Sequence, residues 1–305
     1  MTSREAMEAA LLDDPDDLVR HAAYADMLIE DGDPRGDFIR MQLQLEDEML
    51  AEGVRKEIEA QSAAILKQHE REWLGPLCHL VYPKKARPDS DGLYISWRRG
   101  WIDSAILINV DFASISQLLD APIARLLREI TSSNHRSVTR RIAGAAWTNL
   151  TTLRIDGPDN SPIAADALAA NEFLPRLMHL VLDSTDFALT IPEPVRWLAR
   201  FCSSRTASTI RELDFLRLEL DDLSIDTLLS SGIVGWLKCL DLTDNNITDD
   251  GALALAAHPD VTKLEHLSLD KNLLTAIGIE ALAAVGHRIS ADQNFGGLHS
   301  FLGDL

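Results

Sequence analysis

Cysteine is scarce in this chain: Cys78, Cys202 and Cys239 are the only three in 305 residues, and they lie far apart. That spacing excludes a disulfide framework and the paired ligands of a zinc site, and it reads as small core residues in a reducing compartment. Long apolar runs are missing as well, so no membrane span is expected. The opening stretch, Met1 to Glu8, is polar and acidic and lacks an apolar core segment. No secretory leader is expected from it, and the expected location is the cytoplasm. Positive charge is in deficit, with 29 Lys and Arg against 48 Asp and Glu, a formal net charge of −19. The deficit sits at the two ends: residues 1–50 carry −10 and 151–305 carry −12, whereas 51–150 carry +3. Phosphate recognition depends on Lys and Arg, so neither nucleic acid nor an anionic membrane surface is an expected partner. An acidic surface favours solubility, and the partner it suits is a basic protein. Catalytic signatures are absent too: there is no GxSxG, GxxxxGKS/T, HExxH or CxxC. The expectation is therefore a chain that is not an enzyme, with no catalytic, cofactor-binding or metal-ligating residues.

What the sequence does contain is a repeat. Leu237 to Asn245 (LKCLDLTDN) is followed 27 residues later by Leu264 to Asn272 (LEHLSLDKN). Both read LxxLxLxxN, and each is followed by an apolar residue (Ile247, Leu274), a glycine (Gly251, Gly278) and an alanine- and leucine-rich helical tail. This is the pattern of a leucine-rich repeat, whose units present a surface and contain no chemistry of their own. Stepping backwards gives further starts at Ile210, Leu177 and Leu150, with weaker ones at Leu127 and Ile102. The unit from Leu177 is longer, at 33 residues, and its extra length falls at Ile191–Trp197 and in the Ser-rich Ser203–Ser208. After Ile289 the pattern fades, where a terminal cap is expected. The leucines of each unit point into the core, the Asn satisfies backbone groups where the chain leaves the strand, and stacked neighbours bury what one unit cannot.

Ahead of the repeats the chain reads as helices. Residues 3–12 form a short helix with Ser3 as its cap, and Asp13–Asp17 turns into a second helix marked by Leu18, Ala22, Ala25 and Leu28, with Pro15 in its first turn. Asp31–Gly36 breaks that helix, and a third runs from near Asp37 towards Trp73 with a break near Gly53. Asp31-x-Asp33 begins like a calcium loop, but Arg35 and Gln42 stand where oxygen ligands are needed, so it reads as a helix–helix turn. The stretch Tyr24-Ala-Asp-Met-Leu-Ile-Glu-Asp-Gly-Asp-Pro-Arg-Gly-Asp-Phe38, continuing to Gln42, resembles the repeat-companion domain that stands at the front of many bacterial leucine-rich-repeat proteins. Trp73–Leu77 and Arg98–Ile102 are similar to the connection used there. His21-Ala22-Ala23 departs from that pattern, in which an Arg is common. The resemblance implies an architecture and no activity.

Pro83–Gly92 is polar with two prolines and reads as an exposed loop. Its bases join Arg98 and Arg99 in one basic stretch, for which pairing with the acidic N-terminal residues is the expected role. Leu93–Trp97 and Ile102–Val110 read as strands. The expected fold is α/β: a helical module over 1–80, a linker and first strand over 81–100, and a leucine-rich-repeat solenoid over 101–305. Long repeats with helical tails resemble the ribonuclease-inhibitor type, a curved horseshoe.

Residues between the core leucines project from the concave face of such a sheet. The fifth places of successive repeats hold Arg154, Val181, Asp214, Asp241 and Ser268, and the seventh hold Asp156, Asp183, Leu216, Thr243 and Asp270. Adjacent strands put these columns about 5 Å apart, so five carboxylates share one face. The expected function is non-catalytic protein binding through that face, with Asp156, Asp183, Asp214, Asp241, Asp270, Arg154, Leu216 and Thr243 as the contact residues. The alternative is a cytoplasmic inhibitor or regulator of a basic enzyme or toxin.

Overall fold

In the computed structural model, residues 2–81, 91–134, 136–157, 160–184, 194–286 and 289–293 are described. The basic loop over 83–90, much of the extra length of the long repeat over 185–193, and the terminal cap beyond 293 lie outside them. The chain divides into two compact units, Met1–Ile130 and Thr131–Leu305.

The first unit opens with four helices, α1 (Ser3–Asp13), α2 (Leu18–Glu30), α3 (Arg35–Leu45) and α4 (Glu52–Leu74). Local chemistry sets their ends. The cap of α1 is Thr2 and not Ser3: the Thr2 hydroxyl accepts from the Glu5 amide at 3.2 Å, and the Glu5 carboxylate accepts from the Thr2 amide at 2.8 Å. Asp17 caps α2 by accepting from the Val19 and Arg20 amides, which leaves Pro15 in the preceding turn and outside the helix. The break before α4 comes at 46–51 and not at Gly53. Arg55 holds it by donating to the Leu45 and Asp47 carbonyls at 2.8 and 2.6 Å. Gly36 lets α3 approach α2 closely, since a Cβ there would lie 2.6 Å from the Ala25 carbonyl oxygen. Leu11, Tyr24, Ala25, Leu28, Ile39, Trp101 and Leu126 form the buried cluster of this unit.

After a short helix α5 (Cys78–Val81), β1 (Gly92–Arg98) and β2 (Trp101–Ile108) make an antiparallel hairpin. Ile102, a weak repeat start in the sequence, therefore opens no repeat. The hairpin turn places Arg99 and Gly100 at φ of 50° and 74°, the left-handed region. Arg99 is buried because its guanidinium donates to Glu46 at 2.8 and 2.7 Å and to the Pro15 carbonyl at 3.0 Å. Arg98 reaches the same carboxylate at 3.2 Å. These two bases pair with the acidic N-terminal residues, as their charges suggest. Helix α6 (Phe112–Asp120), capped by Asp111, follows. Strand β3 (Glu129–Ser133) spans the division between the units.

In the second unit, α7 (Arg136–Ala143) precedes alternating strands and helices: β4 (Thr152–Asp156), α8 (Asn160–Ala169), β5 (His179–Asp183), α9 (Pro194–Cys202), β6 (Glu212–Leu216), α10 (Asp222–Ser231), β7 (Cys239–Asp241), α11 (Asp249–Ala257), β8 (His266–Ser268), α12 (Ala276–Ala283) and β9 (Ile289–Ser290). β4 to β9 pair in chain order as one parallel ladder. Each strand from β4 to β8 begins two residues after the expected leucine start. Leu153, Leu180, Leu213, Leu240 and Leu267 align in register and are buried.

Two side-chain ladders recur with the repeat. The Asn245 amide accepts from the Leu218 and Leu220 N–H groups at 2.9 and 3.1 Å and donates to the Phe215 and Leu242 carbonyls at 2.8 Å each. Asn272 does the same one repeat later, accepting from Ile247 and donating to Leu242 and Leu269. The second ladder links helix starts. Asp222 accepts from the amides of Thr248 and Gly251 at 2.9 and 3.0 Å and from the Thr248 hydroxyl at 2.6 Å. Asp249 receives the corresponding bonds from Thr275 and Gly278.

The second ladder explains the repeated glycine, because a Cβ on Gly251 would sit 2.5 Å from an Asp222 carboxylate oxygen and 2.8 Å from Ile247 Cγ2. Gly251→Ala is expected to destabilise by about 1–3 kcal/mol through overpacking. Gly53→Ala, with open space around its Cβ position, is expected not to destabilise. Urea unfolding of the two variants checks the contrast.

Candidate interaction face

The outward residues of the ladder stand in three columns. The first holds Thr152, His179, Glu212, Cys239 and His266, and the second holds Arg154, Val181, Asp214, Asp241 and Ser268, each set aligned by the strand register. The third begins Asp156, Asp183 and Leu216 in register and continues into the turns as Thr243 and Asp270. The alternation of a strand puts these side chains on the face opposite the leucines.

The eight residues singled out by sequence differ in what they offer. Asp183 is fully buried. Arg217 donates to both of its oxygens, at 2.5 and 2.6 Å, and Arg154 donates to one at 2.6 Å. Arg154 also pairs with Asp156 at 2.7 Å. Asp156, Asp183, Arg154 and Arg217 thus form a neutral cluster of two acids and two bases. Burial is the main cause holding the Asp156 carboxyl above its ordinary range, with Arg154 opposing it.

Across β6 to β8 the acids meet fewer cations among the described residues. Asp214 is half-buried and is met by the His179 ring at 2.8 Å. Asp241 accepts from the Thr243 amide and hydroxyl at 2.9 and 2.5 Å, and that hydroxyl lies 2.9 Å from Ser268. Asp270 accepts from the Ser290 hydroxyl and the Asp292 amide, both at 2.6 Å. Leu216 and Thr243 are half-buried between these acids, and Glu212 stands beside His179 at 3.7 Å.

Sequence reasoning missed two participants. Arg217 lies just beyond its strand with φ of 56°, and that left-handed turn carries its guanidinium back to Asp183. The first column, including His179, was legible from the same repeat register as the other two. The hydrogen bond to Asp214 is the main cause raising the His179 pKa above its ordinary value of 6.5. A raised folded-state pKa means that His179 contributes stability that is complete below its unfolded pKa and lost as pH rises through the folded one. An NMR titration should therefore place His179 above 6.5, and Asp214→Asn should lower it.

No group of three or more His, Cys, Asp or Glu side chains among the described residues could hold a metal ion. No described helix is long and apolar enough to cross a membrane. All three cysteines are free thiols.

No curated protein matches the chain. A solved structural-genomics protein from Bacteroides fragilis is similar over 59% of this chain and 50% of that one, with 21% identity and a TM-score of 0.48. The chain thus spans about half the length of that structure. Residues 236–256 match the leucine-rich repeat family model. That stretch contains β7, the Asn245 turn and most of α11, and the chain accordingly contains a leucine-rich repeat.

Proposed function

We propose that this protein is a non-catalytic interaction module that binds a basic protein through the outward face of the β4–β9 ladder. The observation that carries the reading is the uneven pairing of charge on that face. Asp156 and Asp183 are committed to Arg154 and Arg217, whereas among the described residues Asp214, Asp241 and Asp270 meet only hydroxyls, amides and one titratable ring. Contact therefore centres on Asp214, Asp241, Asp270, Leu216 and Thr243. Arg154, Asp156 and Asp183 form one border of the contact surface.

Two further features belong to the same reading. Strands repeat about 4.8 Å apart, while packed helices need about 8–10 Å, so a stack with strands on one side and helices on the other bends with the strands inside. A curved stack of the repeats from β4 to β9, with this face concave, follows from that mismatch. Residues 1–80 act as a repeat-companion module, joined through 81–100, and three free thiols suit a reducing cytoplasm.

Cys239 stands in the first column, half-buried, and provides an attachment point. Burial pushes the Cys202 thiol up to about 11 and keeps it unreactive. A photoactivatable crosslinker on Cys239, in a Cys78→Ser background, should capture a basic protein from native extract. Capture should be lost when Asp214, Asp241 and Asp270 are all changed to Asn in a folded variant. Equal capture by both proteins would overturn the acidic-face reading. The activity of the captured protein, free and bound, separates a scaffold from an inhibitor of a basic enzyme or toxin.

A further inference from the structure

The first unit contains a cavity of about 450 Å³ lined by Trp73, Leu74, Leu77 and Ile123, with Arg35 and Gln117 among its polar groups. Its size falls within the range of about 300–1,000 Å³ common for small-molecule sites, and its lining is of the usual kind, mostly apolar with few polar groups.

Arg35 is the unusual member. It is 6% exposed. Its Nε donates to the Gly100 carbonyl at 2.8 Å, and its guanidinium carbon lies 4.2 Å from the centroid of the Trp101 ring. Its Nη2 has no hydrogen-bond partner among the described residues, and none of the described ion pairs includes Arg35. The acids around it are engaged elsewhere: Asp33 pairs with Arg4 at 3.3 Å, and Glu8 accepts from the Tyr24 hydroxyl at 2.8 Å. Burial pulls the Arg35 guanidinium below its ordinary range. An ion taken from water without a counter-ion is costly, and the structure retains one beside a cavity. Gln117 adds a second orphan, since its side-chain oxygen is buried without a partner among the described residues. Gln117 lines the cavity, and its side-chain N–H can donate to a carboxylate.

We infer that this cavity binds a small organic monocarboxylate, with the carboxylate on Arg35 and the Gln117 amide and the apolar body against Trp73, Leu74, Leu77 and Ile123. A planar guanidinium is suited to carboxylate recognition. Arg4, Asp33 and Asp120 also line the cavity, with Arg4 paired to Asp33. The lining thus carries two cations and two carboxylates, which disfavours a dianion such as a phosphate monoester, and the apolar walls disfavour a small hydrophilic acid such as acetate.

The test uses the full chain and three probes of equal tail length: octanoate, 1-octanol and octylamine. Calorimetry should show octanoate binding at least tenfold more tightly than either of the others, with a change in tryptophan fluorescence from Trp73. Arg35→Gln should weaken octanoate at least tenfold. Ala121→Phe fills the cavity and leaves Arg35 in place, and it should abolish binding while the protein stays folded. Should Arg35→Gln fail to fold, Ala121→Phe and the preference among the three probes decide the matter. Absence of octanoate binding to the wild type, equal binding of 1-octanol, or full binding by Ala121→Phe would each overturn the inference.

Discussion

Asp183→Ala is expected to lower the stability of the second unit by about 3–5 kcal/mol, the usual cost of removing one partner from a buried ionic cluster. Asp183 is 0% exposed, and its two oxygens accept from both Arg154 and Arg217. Without it, Arg154 keeps Asp156, while Arg217 keeps, among the described residues, the Ser184 carbonyl at 3.2 Å. Both guanidiniums retain some access to water, with side chains 36% and 27% exposed, so the loss belongs nearer the lower end of that range. Urea unfolding measures it. Arg217→Met combined with Asp183→Ala should cost less than the sum of the single changes, because the double variant removes the guanidinium that Asp183→Ala alone leaves with a carbonyl in place of its carboxylate. Because the cluster is largely sequestered from solvent, added salt should weaken it little. A wild-type-like midpoint for Asp183→Ala would show that the cluster adds nothing to stability.

Asn245→Ala is the second large effect, expected at about 3 kcal/mol or more. It orphans the Leu218 and Leu220 N–H groups and the Phe215 carbonyl, while the Leu242 carbonyl still receives the Asn272 amide, and each buried unpaired group costs about 1–3 kcal/mol. Asn272→Ala should cost less. Asn272 accepts from one amide where Asn245 accepts from two, and the Leu242 and Leu269 carbonyls it would release still receive the Asn245 and Gln293 amides. The difference between the two midpoints checks this ordering. Asn245→Asp keeps the acceptor and loses the donor, setting a carboxylate against two carbonyls. That variant should regain stability as the pH falls and its carboxyl takes up a proton.

These effects bear on the proposed binding face in different ways. Asp183 and Asn245 hold the strands and turns that display Asp214, Asp241 and Asp270, so their loss would weaken binding through the fold. Changing those three acids to Asn should weaken binding with the fold intact. Comparing melting curves with crosslinking yield keeps the two routes distinct.

The repeat was written plainly in the chain. LxxLxLxxN at a 27-residue offset located β7 and β8, and the same pattern carried back located β4, β5 and β6 at a constant displacement of two residues. Periodicity suffices there because each unit solves the same local problem: leucines inward, a turn closed by Asn, and a helix to cover the ladder. The register that places Arg154, Val181, Asp214, Asp241 and Ser268 in one column follows from that period alone. The break before α4 was harder to place, because Arg55 reaches back to carbonyls eight and ten residues earlier. The pairing of charges was hidden for a related reason. A column of carboxylates looks uniformly acidic as a list, but whether each faces water depends on side chains about thirty residues away, such as Arg154 and Arg217 around Asp183. Local spacing thus determined the repeat, its strands and the columns they display. Only tertiary structure decided which acids are neutralised, why Gly251 and Gly278 must lack a side chain, and that Arg35 lies buried beside a cavity. Those outcomes depend on distances between residues remote in sequence, and composition and period carry no record of such distances.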